Sequence, residues 1–156
     1  MFSWRLPRNR PLIIAHRGSS AIAPENTLAA FRRAIVDGAD AIELDVHLTS
    51  DGEAVVIHDS LLRRTTGARG RVEEHTLAEL QTVSAGRWFS KTFEAENIPT
   101  LGEVFDLVKG RIGINIELKS HRAGRKNSRI VERCLEVVED HHAGTYVLFS
   151  SFHHAY

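Results

Sequence analysis

Cysteine is nearly absent: Cys134 is the single one in 156 residues. That excludes an internal disulfide and suits a reducing compartment, and its place in an apolar helical pattern makes it a packing residue. An excess of either charge is also missing, with 20 basic against 20 acidic residues, so nothing in the balance suggests a polyanion and nucleic acid is not an expected partner. No stretch approaches the roughly 20 apolar residues of a membrane helix. The N-terminal Met-Phe-Ser-Trp-Arg-Leu-Pro-Arg-Asn-Arg-Pro is broken by arginine and proline before a signal-peptide core can build up. A soluble, cytoplasmic chain without stable membrane insertion is the expectation. Internal repeats and low-complexity tracts are lacking too. The length fits one domain with a sizeable core.

What is present centres on residues 39–59. Ile42, Leu44 and Val46 alternate with Glu43, Asp45 and His47, so a strand places aliphatic residues on one face and two carboxylates on the other. Ser50-Asp51-Gly52 is turn chemistry, and Ala54 to Ile57 is a second apolar run that ends in His58 and Asp59. Like charges two residues apart on one face repel and lose hydration when buried, a cost that a cation or a lysine removes. Taken alone, such a pair reads more simply as a solvated sheet face.

The rest of the chain changes that balance. Leu12 to Ala15 reads as a buried strand that leads into His16-Arg17-Gly18. Asn26 or Thr27 caps a helix with Leu28, Phe31 and Ile35 at helical spacing and Gly38 at its end. Strand, helix, strand implies a right-handed crossover and a parallel sheet. From Ser60 to Gly110 the alternation breaks, and this stretch reads as an insertion plus the helix that follows it. Arg63 to Arg71 is a basic loop, read as a solvated excursion, while Trp88, Phe89 and Phe93 supply aromatic surface. Thr76-Leu-Ala-Glu79 and Thr100-Leu-Gly-Glu103 are capping boxes, the second opening a helix with Val104, Leu107 and Val108 inward. Ile112, Ile114, Ile116 and Leu118 then alternate with Asn115, Glu117 and Lys119 up to Ser120. A helix over about 128–140 buries Ile130, Val131, Cys134, Leu135 and Val138, and Thr145 to Phe149 forms a fifth strand. Five strands separated by helices, with reactive residues at their C-terminal ends, are the pattern of a β/α barrel.

Of nine histidines, only His16 and His58 sit where chemistry can be argued. The adjacent pair His141-His142 reads as a solvated helix end. Glu43, Asp45 and Glu117 offer oxygen ligands to a hard divalent cation, Mg²⁺ or Ca²⁺. His16 and His58 suit general acid and base work, and Arg17 with Lys119 suits the oxygens of a phosphoryl group. A phosphate ester is the substrate class these residues imply.

His16-Arg17-Gly18, Pro24-Glu25-Asn26-Thr27, Glu43-Leu44-Asp45-Val46, Thr49-Ser50-Asp51-Gly52, Val56-Ile57-His58-Asp59, Glu117-Leu118-Lys119 and Ser150-Ser151-Phe152 closely resemble the glycerophosphodiester phosphodiesterase family, in order and spacing, over nearly the whole chain. The resemblance implies a TIM barrel with a small insertion after the third strand. It implies His16 and His58 as catalytic residues, Arg17 and Lys119 as phosphate contacts, and Glu43, Asp45 and Glu117 as metal ligands. The implied reaction cleaves a glycerophosphodiester to glycerol 3-phosphate and an alcohol, the neighbouring glycerol hydroxyl attacking phosphorus first. A full barrel has eight strands in about 250 residues, so the reading is an incomplete barrel with about five strands, low or no turnover alone and open edges suited to self-association. The alternatives are an inactive phosphate- or metal-binding or self-assembling module, and a lipid phosphodiesterase on the same barrel. A metal-dependent amidohydrolase would need a His-x-His after the first strand, which is missing.

Overall fold

The computed structural model describes residues 2–4, 10–119 and 128–152. Strand β1 (Ile14–His16) is followed by helix α1 (Leu28–Val36) and strand β2 (Ala41–Leu48). Of the two cap candidates Thr27 takes the role, its hydroxyl accepting from the Ala30 N–H, and Gly38 stands just past the helix end at φ +80°. Ala30, Phe31 and Ala34 are buried, with Leu28 and Ile35 packed partly buried against the same core. β1 and β2 pair in parallel, Ile14 beside Ala41 and His16 beside Glu43.

Strand β3 (Ala54–Val56) departs from the sequence reading. It runs antiparallel to β2, with Val46 opposite Val56 and Leu48 opposite Ala54. The reason is the connection: a parallel return needs a crossover of about a dozen residues, and the Ser50-Asp51-Gly52 turn permits only a hairpin. The parallel order is therefore β1-β2-β4-β5, with β4 over Gly113–Leu118 and β5 over Val147–Ser150. The incomplete barrel holds four parallel strands and one hairpin strand instead of five barrel strands. Ser120, which closes the fourth strand in the sequence reading, lies outside the described residues.

The strands are two-faced. Ile42, Leu44 and Val46 of β2 and Ile114, Ile116 and Leu118 of β4 are buried in one core with residues of α1 and the later helices. Helix α4 (Leu101–Val108) opens with the Thr100–Glu103 capping box, Thr100 N–H to Glu103 Oε2 at 2.7 Å and Glu103 N–H to Thr100 Oγ1 at 3.1 Å. It buries Phe105 along with Leu101, Val104 and Val108, whereas Leu107 is only partly covered. Helix α5 (Ser128–Asp140) buries Ile130, Cys134, Val137 and Val138, and Val131 packs beside them. Leu135 is 43% exposed instead of inward, because the stripe follows i, i+4, i+7 and i+8 from Ile130 and position 135 falls off that line.

Between Ser60 and Pro99 lie two short helices, α2 (Arg63–Thr66) and α3 (Leu77–Leu80), around a second, smaller core of Val55, Ile57, Leu62, Val72, Leu80, Ala85 and Ile98. Thr76 and Glu79 form the expected capping box on α3. Phe89 meets Trp88 and Phe93 edge to face, with ring centroids 5.7 and 5.8 Å apart. At the N-terminal end of β4 the rings of Phe2 and Trp4 occupy the space over Gly113, where a Cβ would come within 2.5 Å of Phe2.

Gly18 carries the sharpest backbone constraint, with φ +81° and room for a Cβ only 2.7 Å from the Ala30 carbonyl carbon. Gly18→Ala is expected to cost about 1–3 kcal/mol in urea unfolding, from left-handed strain plus that collision. Thr100→Ala should cost about 1 kcal/mol through the lost cap. A Gly18→Ala protein as stable as the parent would contradict the close packing of the His16–Gly18 turn on α1.

Candidate active site

Strand register brings the polar residues together. In the parallel sheet His16, Glu43 and Asn115 stand in one row, and Asp45, Glu117 and Ser150 in the next. Residues of one parity share a face, so His16, Glu43, Asp45 and Glu117 project from the side opposite the helices. Carboxylate oxygens of Glu43, Asp45 and Glu117 lie within 4.8 Å of one another, and they are the metal-type cluster among the described residues.

Asp45 is fully buried and makes three contacts. The Asn26 amide donates to its Oδ2 at 2.7 Å, Lys119 Nζ stands 3.0 Å from Oδ1, and Arg17 Nε stands 3.4 Å from Oδ2. The last two are ion contacts without well-aligned hydrogen bonds, since neither Oδ1 nor Arg17 Nε finds a hydrogen-bond partner. Lys119 also donates to Glu117. Burial alone would lower the Lys119 ammonium, but its contacts with Glu117 and Asp45 outweigh that and raise it.

Glu43 has the opposite balance. Burial, then the charge of Asp45, push its carboxyl up to about 7, against the Arg17 backbone N–H that donates to Oε2 at 3.0 Å. Its Oε1 is buried with no hydrogen-bond partner. An orphaned carboxylate oxygen beside two further acids is the environment a hard cation completes, so these three residues could hold a divalent ion. Charge agrees: with Glu43 ionised, Glu25, Glu43, Asp45, Asp59 and Glu117 face Arg17, Arg64 and Lys119, which leaves two negative charges for a cation to compensate.

His16 Nε2 lies 3.8 Å from Glu43 Oε2, with the ring 67% exposed and so open to a ligand. Arg17 adopts φ +58°, which turns its N–H onto Glu43 and its guanidinium toward Asp45 and Glu25. His58 arrives by the returning hairpin and not at the end of a parallel strand: the Ile57 N–H donates to the Asp45 carbonyl at 2.9 Å, which sets the next residue at the same level. His58 Nδ1 lies 2.7 Å from Asp59 Oδ1, and its carbonyl accepts from His47 Nε2 at 3.0 Å. It joins the other site residues through side chains instead of touching the carboxylate cluster. Asp59 binds Arg64, Arg64 binds Glu25 at 2.8 Å, and Glu25 binds Arg17 at 2.9 Å.

Asn26, Glu25, Asp59 and Arg64 are therefore the neighbours that sequence reasoning did not assign. The basic loop is not a solvated excursion at Arg64, whose guanidinium is raised by its bonds to Glu25 first and Asp59 second. Arg64 in turn holds Asp59 well below the usual carboxylate range. A signal was present, because Glu25 and Asp59 each flank a motif residue and need a cation. His141 stays a helix-end residue, its Nδ1 2.8 Å from the Val137 carbonyl.

Comparison with known proteins agrees with this geometry. The profile of the glycerophosphoryl diester phosphodiesterase family matches residues 16–156. A glycerophosphodiester phosphodiesterase of Caldanaerobacter subterraneus is 45% identical over 146 residues, covering 93% of this chain and 59% of the relative. Human glycerophosphodiester phosphodiesterase 1 is 42% identical over 118 residues, 74% of this chain and 36% of the relative. Among solved structures, an Oleispira antarctica phosphodiesterase in complex with the product sn-glycerol-3-phosphate superposes with a TM-score of 0.87 at 39% identity, over 92% of this chain and 58% of that one. The Agrobacterium tumefaciens glycerophosphodiester phosphodiesterase gives 0.83 at 35%, over 92% and 59%. The chain thus spans about three fifths or less of the length of these relatives. With a barrel sheet of matching course, and a profile that runs from His16 at the end of β1 through β2 to β5, the chain belongs to the glycerophosphoryl diester phosphodiesterase family.

Proposed function

We propose that this chain carries the catalytic half-site of a hydrolase that converts glycerophosphodiesters to glycerol 3-phosphate and an alcohol. The observation that carries the reading is the convergence of Glu43, Asp45 and Glu117 with an orphaned Glu43 oxygen, beside His16 and the cations Arg17 and Lys119. In this reading residues 1–156 are one domain, and 60–110 comprise an insertion and the helix that follows it. Glu43, Asp45 and Glu117 would hold Mg²⁺ or Ca²⁺, which would supply Lewis-acid stabilisation of developing negative charge. Arg17 and Lys119 orient the phosphate and balance its charge.

His16 and His58 divide the proton transfers. One takes the proton of the neighbouring glycerol hydroxyl as its oxygen bonds to phosphorus. The other gives a proton to the departing alkoxide as the opposite P–O bond breaks. Water then opens the cyclic ester with the roles reversed, and the internal nucleophile supplies a large effective molarity. The substrate is a small molecule and not nucleic acid, in keeping with balanced charge. No helix among the described residues is long and apolar enough to cross a membrane, and the lone buried thiol suits the cytoplasm.

His16→Ala and His58→Ala should each lower release of glycerol 3-phosphate from glycerophosphocholine by about 10²-fold or more, and a chelator should abolish it. Turnover by a monomer of this chain is expected to be low or nil, since its described strands wall only part of a pocket. Activity that survives both chelation and His16→Ala would overturn the assignment. Calorimetric Mg²⁺ or Ca²⁺ binding, lost in Glu43→Gln or Asp45→Asn, reads the metal site independently of turnover.

Glu43 also predicts a pH effect. Its carboxyl is raised from an ordinary 4.5 to about 7, so the metal-free folded state keeps a proton that the unfolded chain has already released. Stability from this group is present below about pH 4.5 and is lost as pH rises through about 7. Thermal melts with chelator should therefore show a lower midpoint at pH 8 than at pH 5.5, with Glu43→Gln reducing the difference and Mg²⁺ or Ca²⁺ restoring the pH 8 value. A pH-independent difference between parent and Glu43→Gln would refute it.

Among the described residues, β1 and β5 each have one unpaired edge, and Ile13, Ile14, Leu148 and Phe149 beside them are 40–59% exposed. We propose that a second copy covers these edges, β5 of one against β1 of the other, since four parallel strands from each make the eight of a closed barrel. Light scattering should give a dimer that Leu148→Lys dissociates. A parent monomer at micromolar concentration would exclude it.

A further inference from the structure

We propose that Arg64 is a positioning residue for His58, holding its imidazole in the tautomer protonated on Nδ1 and tying that ring to Arg17. The proposal rests on the reading that His58 transfers a proton. Its basis is a guanidinium that grips two carboxylates at once. Arg64 Nε and Nη2 reach the two oxygens of Asp59 at 2.7 and 3.0 Å, while Nη1 and Nη2 reach those of Glu25 at 2.8 Å each. Planar, forked donors are needed for this, and a lysine ammonium could not span both acids in the same way.

Asp59 and Glu25 come from separate parts of the fold, the end of the hairpin and the loop before α1. Without a cation between them they would repel, and Asp59 would lose the contact that fixes its carboxylate plane. An ionised carboxylate only accepts hydrogen bonds, so the His58 nitrogen 2.7 Å away must bear the proton. That leaves Nε2 as the proton-exchanging atom. Glu25 extends the same chain to Arg17 Nη1 at 2.9 Å, and Arg17 Nε faces Asp45 at 3.4 Å. One arginine from the irregular segment thereby links the acid–base ring to the phosphate and metal side of the site. An isolated ion pair with a cation 43% exposed would contribute little, whereas this one closes a run of bonds between fixed partners.

The test is ¹⁵N NMR of the histidine rings in the 156-residue chain, with kinetics alongside. The parent should show His58 in the Nδ1–H tautomer. Arg64→Ala should give a mixture with Nε2–H, Arg64→Lys a smaller change, and Arg69→Ala, an exposed arginine in the same segment, none. Asp59→Asn keeps Arg64 but removes the charge it holds and turns one acceptor oxygen into a donor, and should also mix the tautomers, which covers the case in which Arg64→Ala does not fold. Where turnover is measurable, Arg64→Ala should lower kcat about tenfold or more with KM little changed. An unaltered His58 tautomer in Arg64→Ala or Asp59→Asn would overturn the proposal. Hydrolysis that survives chelation and His16→Ala, with the tautomer shift intact, would instead count against the hydrolase reading alone.

Discussion

A carboxylate sealed from water governs the arrangement around it. Asp45 sits at zero exposure in the middle of the sheet, where an uncompensated charge costs several kcal/mol. Lys119, after β4, and Arg17 and Asn26, both in the β1–α1 connection, answer it. Two of the three are held at an unusual backbone angle, Arg17 at φ +58° and Asn26 at φ +57°. Asparagine tolerates that conformation and arginine does so at a cost of about 1–2 kcal/mol, so strain is concentrated where side chains must meet Asp45.

The same sheet shows why such a site is compatible with folding. Its aliphatic parity is locked under α1, α4 and α5, and register then leaves the acidic parity no alternative face. Core burial sets the geometry, and the acids are carried along with it. Exchanging the acids together with Arg17 and Lys119 for apolar residues of similar volume would be expected to stabilise the fold, whereas removing Asp45 alone would strand two largely buried cations.

Much of this was legible in the sequence because it is local or periodic. Alternation in residues 42–46 and 112–118 gave the strand faces, and the Thr76 and Thr100 capping boxes marked helix starts that the backbone adopts. Residues 54–57 count among five barrel strands in the sequence because an apolar run looks alike in either direction, although the short turn before it points to the hairpin. Arg64 reads as solvated in the sequence because its partner Glu25 is 39 residues away, a distance at which charge pairing leaves no periodic trace. Leu135 was misplaced for a simpler reason: hydrophobicity suggested burial where helix phase did not.

The irregular segment begins and ends at nearly one point. Val56 N–H donates to the Pro99 carbonyl at 2.8 Å, and Val55 bridges Thr100, so the polypeptide that departs after the hairpin is clasped again where it left. An excursion fastened at its root can change in length or sequence while the barrel strands keep their register, and its entropic penalty grows only slowly with size. Apart from Arg64, which ties the segment to Glu25 and Asp59, residues 60–99 can therefore be remodelled in related chains while the sheet and the residues it carries keep their places.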